Sequence, residues 1–231
     1  MIKNILKIVL IFVLGVGGGI FASQIPWFYK YQSANVSLPL TEKKEIIIQE
    51  NTALQDAAEK VEKSVVGISS KLKTGEIVTG SGLIVTSDGL IVTLAELVPN
   101  SADIAFFINN GKTPKYQVLK RDQKTNLVLL KIEETDLQTC KFADFNEIKL
   151  GQSVFLVGVI FLQSEPLKMV NQGVVKYFTN DYIRTNIFET NSLTGSALFN
   201  IKGELLGLNT IDSQGKVTAI PITKLRAFLG F

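Results

Sequence analysis

A long series of short segments rich in Val, Ile and Phe limits the fold of this chain more than any other feature. Turn signals such as Ser-Asp-Gly, Asn-Gly-Lys and Ser-Gln-Gly separate these segments between residues 64 and 222. Many short strands with frequent turns are typical of a β-barrel or a β-sandwich. We therefore predict an all-β fold, with a short amphipathic helix before the strands, residues 51–63, and another after them, residues 223–228.

The composition suits a packed protein and excludes one class of partner. The chain has 231 residues, of which 46% are hydrophobic, enough for one large or two small packed units. Three of its 24 basic residues and none of its 21 acidic residues precede residue 31, so the remainder carries no net charge. A neutral body argues against nucleic acid as a partner. The single cysteine, Cys140, cannot form an internal disulfide, and we interpret it as a structural thiol.

The absence of histidine constrains the chemistry most strongly. The chain contains 0 histidines, so it cannot assemble a Ser-His-Asp or Cys-His catalytic arrangement. Histidine-based zinc sites are excluded too, and one cysteine cannot replace them. We expect neither a metal site nor a cofactor.

An uncharged stretch near the N-terminus, residues 8–29, predicts a membrane anchor. Its 22 residues match the roughly 20 that a spanning helix needs. Lys3 and Lys7 precede it, and three aromatic residues, 27–29, end it as aromatics do at a membrane interface. We predict a single-pass signal anchor in the cytoplasmic membrane within residues 1–30, with the short N-terminus in the cytoplasm and the rest of the chain extracytoplasmic.

A cleaved signal peptide is the alternative interpretation of this segment. Its cleavage site would be poorly formed, because Ile20 stands two residues before Ala22, where a small residue is usual. For the rest of the chain, we predict that residues 31–50 form a tether and that residues 51–231 form the folded domain.

Several segments together resemble the HtrA (Deg) family of trypsin-like serine proteases. The sequence GSGLIVTSDGLIVTLAELV, Gly80 to Val98, is similar to the family pattern G-S-G-F-I-I-x-x-D-G-Y-I-L-T-N-x-H-V-V. Further similar segments, in the family's order, are Asp56 to Ile68, Arg121 to Glu133, Tyr182 to Thr210 and Ala219 to Ile222. The resemblance implies a trypsin/chymotrypsin-like double β-barrel of two six-stranded barrels, with the active site between them. The sequence departs from the family in one respect: we expect no C-terminal PDZ domain after the barrels, although one is usual in the family.

The resemblance also assigns the catalytic positions, and all three are substituted. The family's histidine base corresponds to Glu96, its aspartate to Asn126 and its nucleophilic serine to Thr194. The oxyanion-hole N–H groups would come from Ser192 and Thr194. The remaining loop and substrate-cleft positions are Leu193, Gly195 and Ser196, with Thr190 and Ile220 near the substrate pocket.

Each substitution weakens the chemistry that the family performs. A glutamate side chain has a pKa near 4.3, so Glu96 is a far weaker base toward a hydroxyl than an imidazole with a pKa near 6.5. Asn126 carries no charge with which to stabilise an imidazolium. Thr194 is internal, so it lacks the N-terminal amine that activates catalytic threonines. Serines at 192 and 196, where the family has glycine, also reduce the freedom of the loop.

We therefore expect a membrane-anchored pseudoprotease that binds peptides or unfolded protein segments, or acts as a scaffold. The alternative is an active serine-type endopeptidase in envelope protein quality control that uses a non-standard catalytic arrangement. A third possibility is a structural subunit, either in a homotrimer or together with active HtrA-like proteins, that assembles through residues 38–63. The sequence alone does not separate the first possibility from the third.

Overall fold

The computed structural model describes residues 52–108, 111, 115–163 and 165–231, and six positions near the N-terminus. The chain divides into two compact units, residues 1–48 and 49–231. The described positions of the first unit, 5, 7, 9–11 and 13, are helical. The predicted anchor, residues 8–29, and the tether, residues 31–50, lie mostly or wholly outside the described residues and stay predictions. Within the described part, no helix is long and apolar enough to cross a bilayer.

A helix precedes the first strand, close to where the sequence predicts one. This helix, α1, covers residues 52–61 and continues into a 3-10 turn, Glu62–Ser64. Its buried face contains Ala57 and Val61, which belong to the core of the folded unit. The Ser64 hydroxyl donates a hydrogen bond to the Val61 carbonyl (2.6 Å) and so closes the turn before the first strand begins.

The first sheet has six antiparallel strands in the order β4-β1-β2-β3-β6-β5. Their bounds are β1 Val65–Lys71, β2 Ile77–Ile84, β3 Leu90–Leu94, β4 Asp103–Phe107, β5 Tyr116–Asp122 and β6 Leu127–Ile132. The predicted strand number is therefore right, but the sheet is a half-barrel, because no strand pairing among the described residues joins β4 to β5. The rings of Phe106 and Tyr116 instead meet edge to face, 5.1 Å apart, between these two strands.

The second sheet closes into a full barrel. Its strands are β7 Lys141–Phe142, β8 Ser153–Leu162, β9 Glu165–Phe178, β10 Ile183–Phe188, β11 Ala197–Asn200, β12 Glu204–Ile211 and β13 Lys216–Pro221. Their order is β11-β8-β9-β10-β13-β12-β7, and an additional β11–β12 pairing closes the ring of six strands from β8 to β13. Strand β7 adds to β12 from outside in parallel. The molecule thus has the all-β, trypsin-like double-barrel arrangement that the sequence predicts, with one barrel closed and one half-open.

The two sheets share part of their hydrophobic core. One continuous cluster contains Ile68 and Leu130 of the first sheet together with Phe155 and Phe199 of the second. The last two rings stack 5.5 Å apart. The C-terminal helix α2, Ile222–Leu229, also packs into this cluster and extends the predicted helix by one residue at each end. The packing of this cluster therefore joins the two sheets beside the cleft between them.

Cys140 should react slowly in the folded protein. Burial raises the pKa of its thiol to about 12, which leaves roughly a thousand-fold less thiolate at pH 8 than a free cysteine has. We expect the native chain to be alkylated by iodoacetamide at pH 8 at least 100-fold more slowly than the chain in guanidinium chloride. A native rate within tenfold of the denatured rate would show that the thiol is accessible.

Candidate functional site

Two of the three catalytic positions meet at the ends of paired strands. Glu96 lies in a 3-10 turn, Ala95–Leu97, directly after β3, and Asn126 directly precedes β6. Strands β3 and β6 pair in register up to Leu94 and Leu127, which brings the two positions together. The backbone of Asn126 has a positive φ of 56°, a conformation that asparagine tolerates better than most residues.

Glu96 and Asn126 hydrogen-bond to each other twice. The Asn126 side-chain amide donates to the Glu96 carboxylate (3.0 Å), and its carbonyl oxygen accepts the Glu96 backbone N–H (3.2 Å). The Ala95 N–H donates to the Asn126 backbone carbonyl (2.9 Å). On the other side of the turn, the Arg121 guanidinium donates to the carbonyls of Ala95 (3.0 Å) and Val98. The Glu96 carboxylate is therefore held in place by an amide, in a turn fixed on two sides.

The loop that carries Thr194 is a tight turn anchored by a leucine. A 3-10 helix, Asn191–Leu193, leads into Thr194. Leu193 is fully buried in the core of the second barrel, close to Gly158 of β8, where any side chain would collide with the leucine. The Thr194 N–H donates to the Asn191 carbonyl (3.0 Å). One of the two predicted oxyanion-hole donors is thus already used within the loop.

Backbone hydrogen bonds hold the same loop against both barrels, through Ser81 of the first and Asn209 of the second. The Thr194 carbonyl accepts the N–H of Ser81 in β2 (2.9 Å), and the Gly195 N–H donates to the Asn209 carbonyl (2.8 Å). Gly195 has a φ of 79°, and a Cβ there would lie 2.2 Å from the Ser81 carbonyl oxygen. Only glycine fits this position, because both the backbone angle and the space exclude a side chain.

The other predicted site residues occupy different environments. Ser196 is fully buried, and its hydroxyl accepts a hydrogen bond from the Asn209 amide (3.0 Å), so it faces the interior. The hydroxyls of Thr190 and Ser192 lie 2.7 Å apart in the exposed part of the loop. Ile220 is half-buried and packs against the shared core. Leu193 and Gly195 shape the loop from within, so of the predicted loop positions only Ser192 and Thr194 line the cleft.

The cleft that joins Glu96 to Thr194 has a volume of about 510 Å³. Its lining consists of residues 76–79 and 96–97 from the first barrel, and Asn191, Ser192, Thr194 and Ile211 from the second. Thr194 as a whole residue is 8% exposed, and the structure gives its hydroxyl no hydrogen-bond partner among the described residues. The described lining residues include two carboxylates, Glu76 and Glu96, and no basic side chain. The site therefore has a negative wall and an unbonded hydroxyl.

Sequence reasoning missed Glu76 and Ile211 as cleft residues. Both stand at strand ends with no motif to mark them, and only the packing of the barrels places them opposite the loop. A larger groove of about 670 Å³ lies elsewhere, along residues 143–152 and 200–206, and contains none of the positions that match the family's catalytic residues. Within the described part of the chain, no three His, Cys, Asp or Glu side chains are grouped so that they could bind a metal ion.

Comparison with known proteins identifies the class. The profile of the trypsin-like peptidase domain matches residues 80–208, more than half of the chain and including all three substituted positions. The chain therefore belongs to the trypsin-like peptidase family. Within that family it belongs to the HtrA-like group, whose members resemble it in sequence.

Similar proteins include HtrA and DegP-like proteases. The chain is 29% identical over 136 residues to a probable periplasmic serine endoprotease DegP-like of Halomonas elongata, covering 57% of this chain and 29% of that protein. It is 33% identical over 192 residues to serine protease HTR4 of Rattus norvegicus, covering 74% of this chain and 38% of that protein. The chain thus matches about a third of the length of these relatives.

A solved structure supports the fold independently. The crystal structure of the serine endoprotease from Yersinia pestis superposes with a TM-score of 0.68 over 77% of this chain and 65% of that one. The sequence identity is 23%, so this likeness concerns the fold alone.

Replacing Asn126 by aspartate should destabilise the protein in a pH-dependent way. Asn126→Asp places a second carboxylate about 3 Å from Glu96, so one carboxyl pKa in the folded variant rises above its unfolded value. A carboxyl group whose pKa is higher in the folded state than in the unfolded state lowers the free energy of unfolding once the pH rises above the pKa of the unfolded state. We expect a loss of about 1 kcal/mol at pH 7 relative to wild type, shrinking below pH 4, because Glu96 is exposed.

Denaturant unfolding at pH 7 and pH 4 measures this difference. Asn126→Gly is the matched control, because it removes the amide but keeps the positive φ without adding charge. An Asn126→Asp deficit that is equal at both pH values would contradict the carboxylate contact.

Proposed function

We propose that this chain is a catalytically inactive HtrA-like domain that binds an extended peptide or unfolded protein segment in the cleft without cutting it. The observation that carries this proposal is the mutual hydrogen bonding of Glu96 and Asn126. These two residues stand at the positions whose side chains activate the nucleophile in the family. They bond to each other, and neither supplies an imidazole to the Thr194 hydroxyl.

Proton acceptance is the first obstacle to hydrolysis. A hydroxyl attacks a carbonyl carbon only when a neighbouring base takes its proton. Glu96 hydrogen-bonds to Asn126, and the structure gives no hydrogen bond between Glu96 and Thr194. A carboxylate is also a much weaker base toward a hydroxyl than the imidazole that the family uses. The described residues therefore do not form a nucleophile–base pair.

Stabilisation of the oxyanion is the second obstacle. An oxyanion hole needs N–H groups that point at the position of the developing negative charge. The Thr194 N–H donates to the Asn191 carbonyl within its own turn. Rotating it toward the cleft would break this bond and strain a loop that Leu193 and Gly195 hold in place.

Binding, unlike hydrolysis, needs only what the cleft retains. One wall is the start of β2, whose residues 77–80 pair with β1 on one side only. Since the Ser81 N–H points away from β1 toward Thr194, the N–H groups of Thr79 and Ile77 point the same way by the two-residue period of a strand. An extended segment in the cleft can therefore hydrogen-bond to this edge.

The surroundings of the domain belong to the same proposal. The uncharged segment of residues 8–29 supports a location at the cytoplasmic membrane, with the barrels extracytoplasmic. Two roles are compatible with an inactive cleft: presenting bound segments alone or in a homotrimer, and assembling with active HtrA-like proteins.

Activity assays on the full chain, kept in solution with a mild detergent, test the loss of catalysis. We expect casein to remain intact and a fluorophosphonate probe to leave residues 192, 194 and 196 unlabelled, and Thr194→Ala to behave like wild type. Cleavage that Thr194→Ala abolishes would establish the alternative, an active serine-type endopeptidase. Loss of such cleavage in Glu96→Gln would then identify Glu96 as its base.

Restoring the three catalytic side chains should not restore proteolysis. The variant Glu96→His, Asn126→Asp, Thr194→Ser supplies a base, its orienting carboxylate and the usual nucleophile, but it leaves the N–H of residue 194 bonded to the Asn191 carbonyl. Removing a single oxyanion donor costs about 10²–10³ in turnover. We expect the triple variant to turn over casein at least 100-fold more slowly than an active HtrA protease assayed beside it.

Two further substitutions, Ser192→Gly and Ser196→Gly, complete that test. They return the loop to the glycine pattern of the family and should raise the rate of the triple variant, because the backbone regains freedom. Full activity of the triple variant without them would show that the turn does not obstruct the reaction.

A further inference from the structure

We propose that the cleft is selective for a basic side chain, so that the segment it binds carries a lysine or arginine opposite Glu96. This inference rests on the proposed function and names the class of ligand for the same cleft. The observations behind it are the charges of the cleft, the way in which Glu96 is held, and the unbonded hydroxyl of Thr194.

The charge of the cleft is one-sided. Glu76 and Glu96 line it from the first barrel, and none of the described residues that line it is a lysine or arginine. Neither glutamate forms an ion pair with any residue that the structure describes, although Lys71 and Lys73 lie in the adjoining hairpin. Arg121, beside the Glu96 turn, donates instead to two backbone carbonyls. The negative charge of the cleft is therefore not neutralised by the part of the chain that the structure describes.

Glu96 is positioned to bind rather than free to rotate. The Asn126 amide holds one carboxylate oxygen (3.0 Å), and the backbone N–H of Glu96 is fixed to the same side chain. The other carboxylate oxygen has no protein partner among the described residues. A carboxylate that is already oriented loses less side-chain entropy when it binds a cation, so the interaction is stronger than that of a freely rotating surface glutamate.

Thr194 offers a hydrogen-bonding group to a ligand in the same cleft. The residue is 8% exposed and lines the cleft, and its hydroxyl has no partner in the described part of the protein. The carbonyl and N–H groups of an extended peptide can therefore hydrogen-bond to it.

The two glutamates and the hydroxyl suit one kind of ligand. An extended peptide offers backbone groups to Thr194 and to the free edge of β2, and one long cationic side chain can reach a carboxylate on the first barrel. An acidic residue at that point would meet Glu96 and Glu76 as like charges. The cleft therefore discriminates by attraction to basic segments and by repulsion of acidic ones.

Binding measurements with matched peptides test this inference on the full chain in mild detergent. Three fluorescent ten-residue peptides with blocked termini differ only at the central residue, which is Arg, Gln or Glu. We expect the Arg peptide to bind about three- to tenfold more tightly than the Gln peptide, and the Glu peptide more weakly than both. The preference should shrink at 0.5 M salt, because the charges are partly exposed.

Glu96→Gln locates the source of the preference. A glutamine keeps the oxygen that accepts from Asn126 but removes the charge, so Arg and Gln peptides should bind this variant within about twofold of each other. Glu133→Gln is the matched control. Glu133 is an exposed carboxylate just past the other end of β6, about 20 Å along the strand from Asn126, and its removal should leave the preference intact.

Each result has a distinct meaning. Equal affinity of wild type for the Arg and Gln peptides would overturn the charge selectivity while leaving peptide binding established. An equal loss of preference in Glu96→Gln and Glu133→Gln would also overturn it, because the effect would then reflect overall charge. If no peptide binds, both this inference and the proposed function are wrong.

Discussion

Ser81 is the residue on which the geometry of the whole cleft depends. It lies fully buried in β2 of the first sheet, and its polar groups bond to three different elements. The N–H donates to the Thr194 carbonyl (2.9 Å), the hydroxyl accepts the Val159 N–H of β8 (2.8 Å), and the carbonyl accepts the Thr93 hydroxyl of β3 (2.7 Å). Leaving any of these buried groups unpaired would cost about 1–3 kcal/mol. The loop of the second barrel is therefore tied to the core of the first and does not rearrange independently of it.

The proposed loss of catalysis has two separate structural causes. One concerns side chains, since Glu96 and Asn126 bond to each other at the ends of β3 and β6. The other concerns the backbone, since the Thr194 N–H is bonded within a turn that a buried leucine anchors. Under the proposed function, either cause alone would lower the rate of hydrolysis by orders of magnitude.

Local pattern was sufficient to predict most strands, and its failures have physical causes. The runs from Leu90 to Leu94 and from Leu127 to Ile132 are short, mostly apolar and bounded by turns, and they form β3 and β6. Strand β7 is two residues long, too short for any pattern, and exists only because β12 lies beside it. The burial of Leu193 depends on Gly158, 35 residues earlier in the chain, so no local signal shows that this position of the loop points inward. The open edge between β4 and β5 is likewise a property of the assembled sheet.

The substitutions at 96 and 126 make physical sense as a pair. A carboxylate at position 96 beside the family's aspartate would bring two negative charges within about 3 Å, and one of them would take up a proton. An amide at 126 removes this conflict and donates a hydrogen bond to the charged form of Glu96. An asparagine at 126 is therefore compatible with a negative charge at 96 and holds the Glu96 carboxylate in a fixed direction. A carboxylate held in this way is what the proposed binding of a cationic side chain needs.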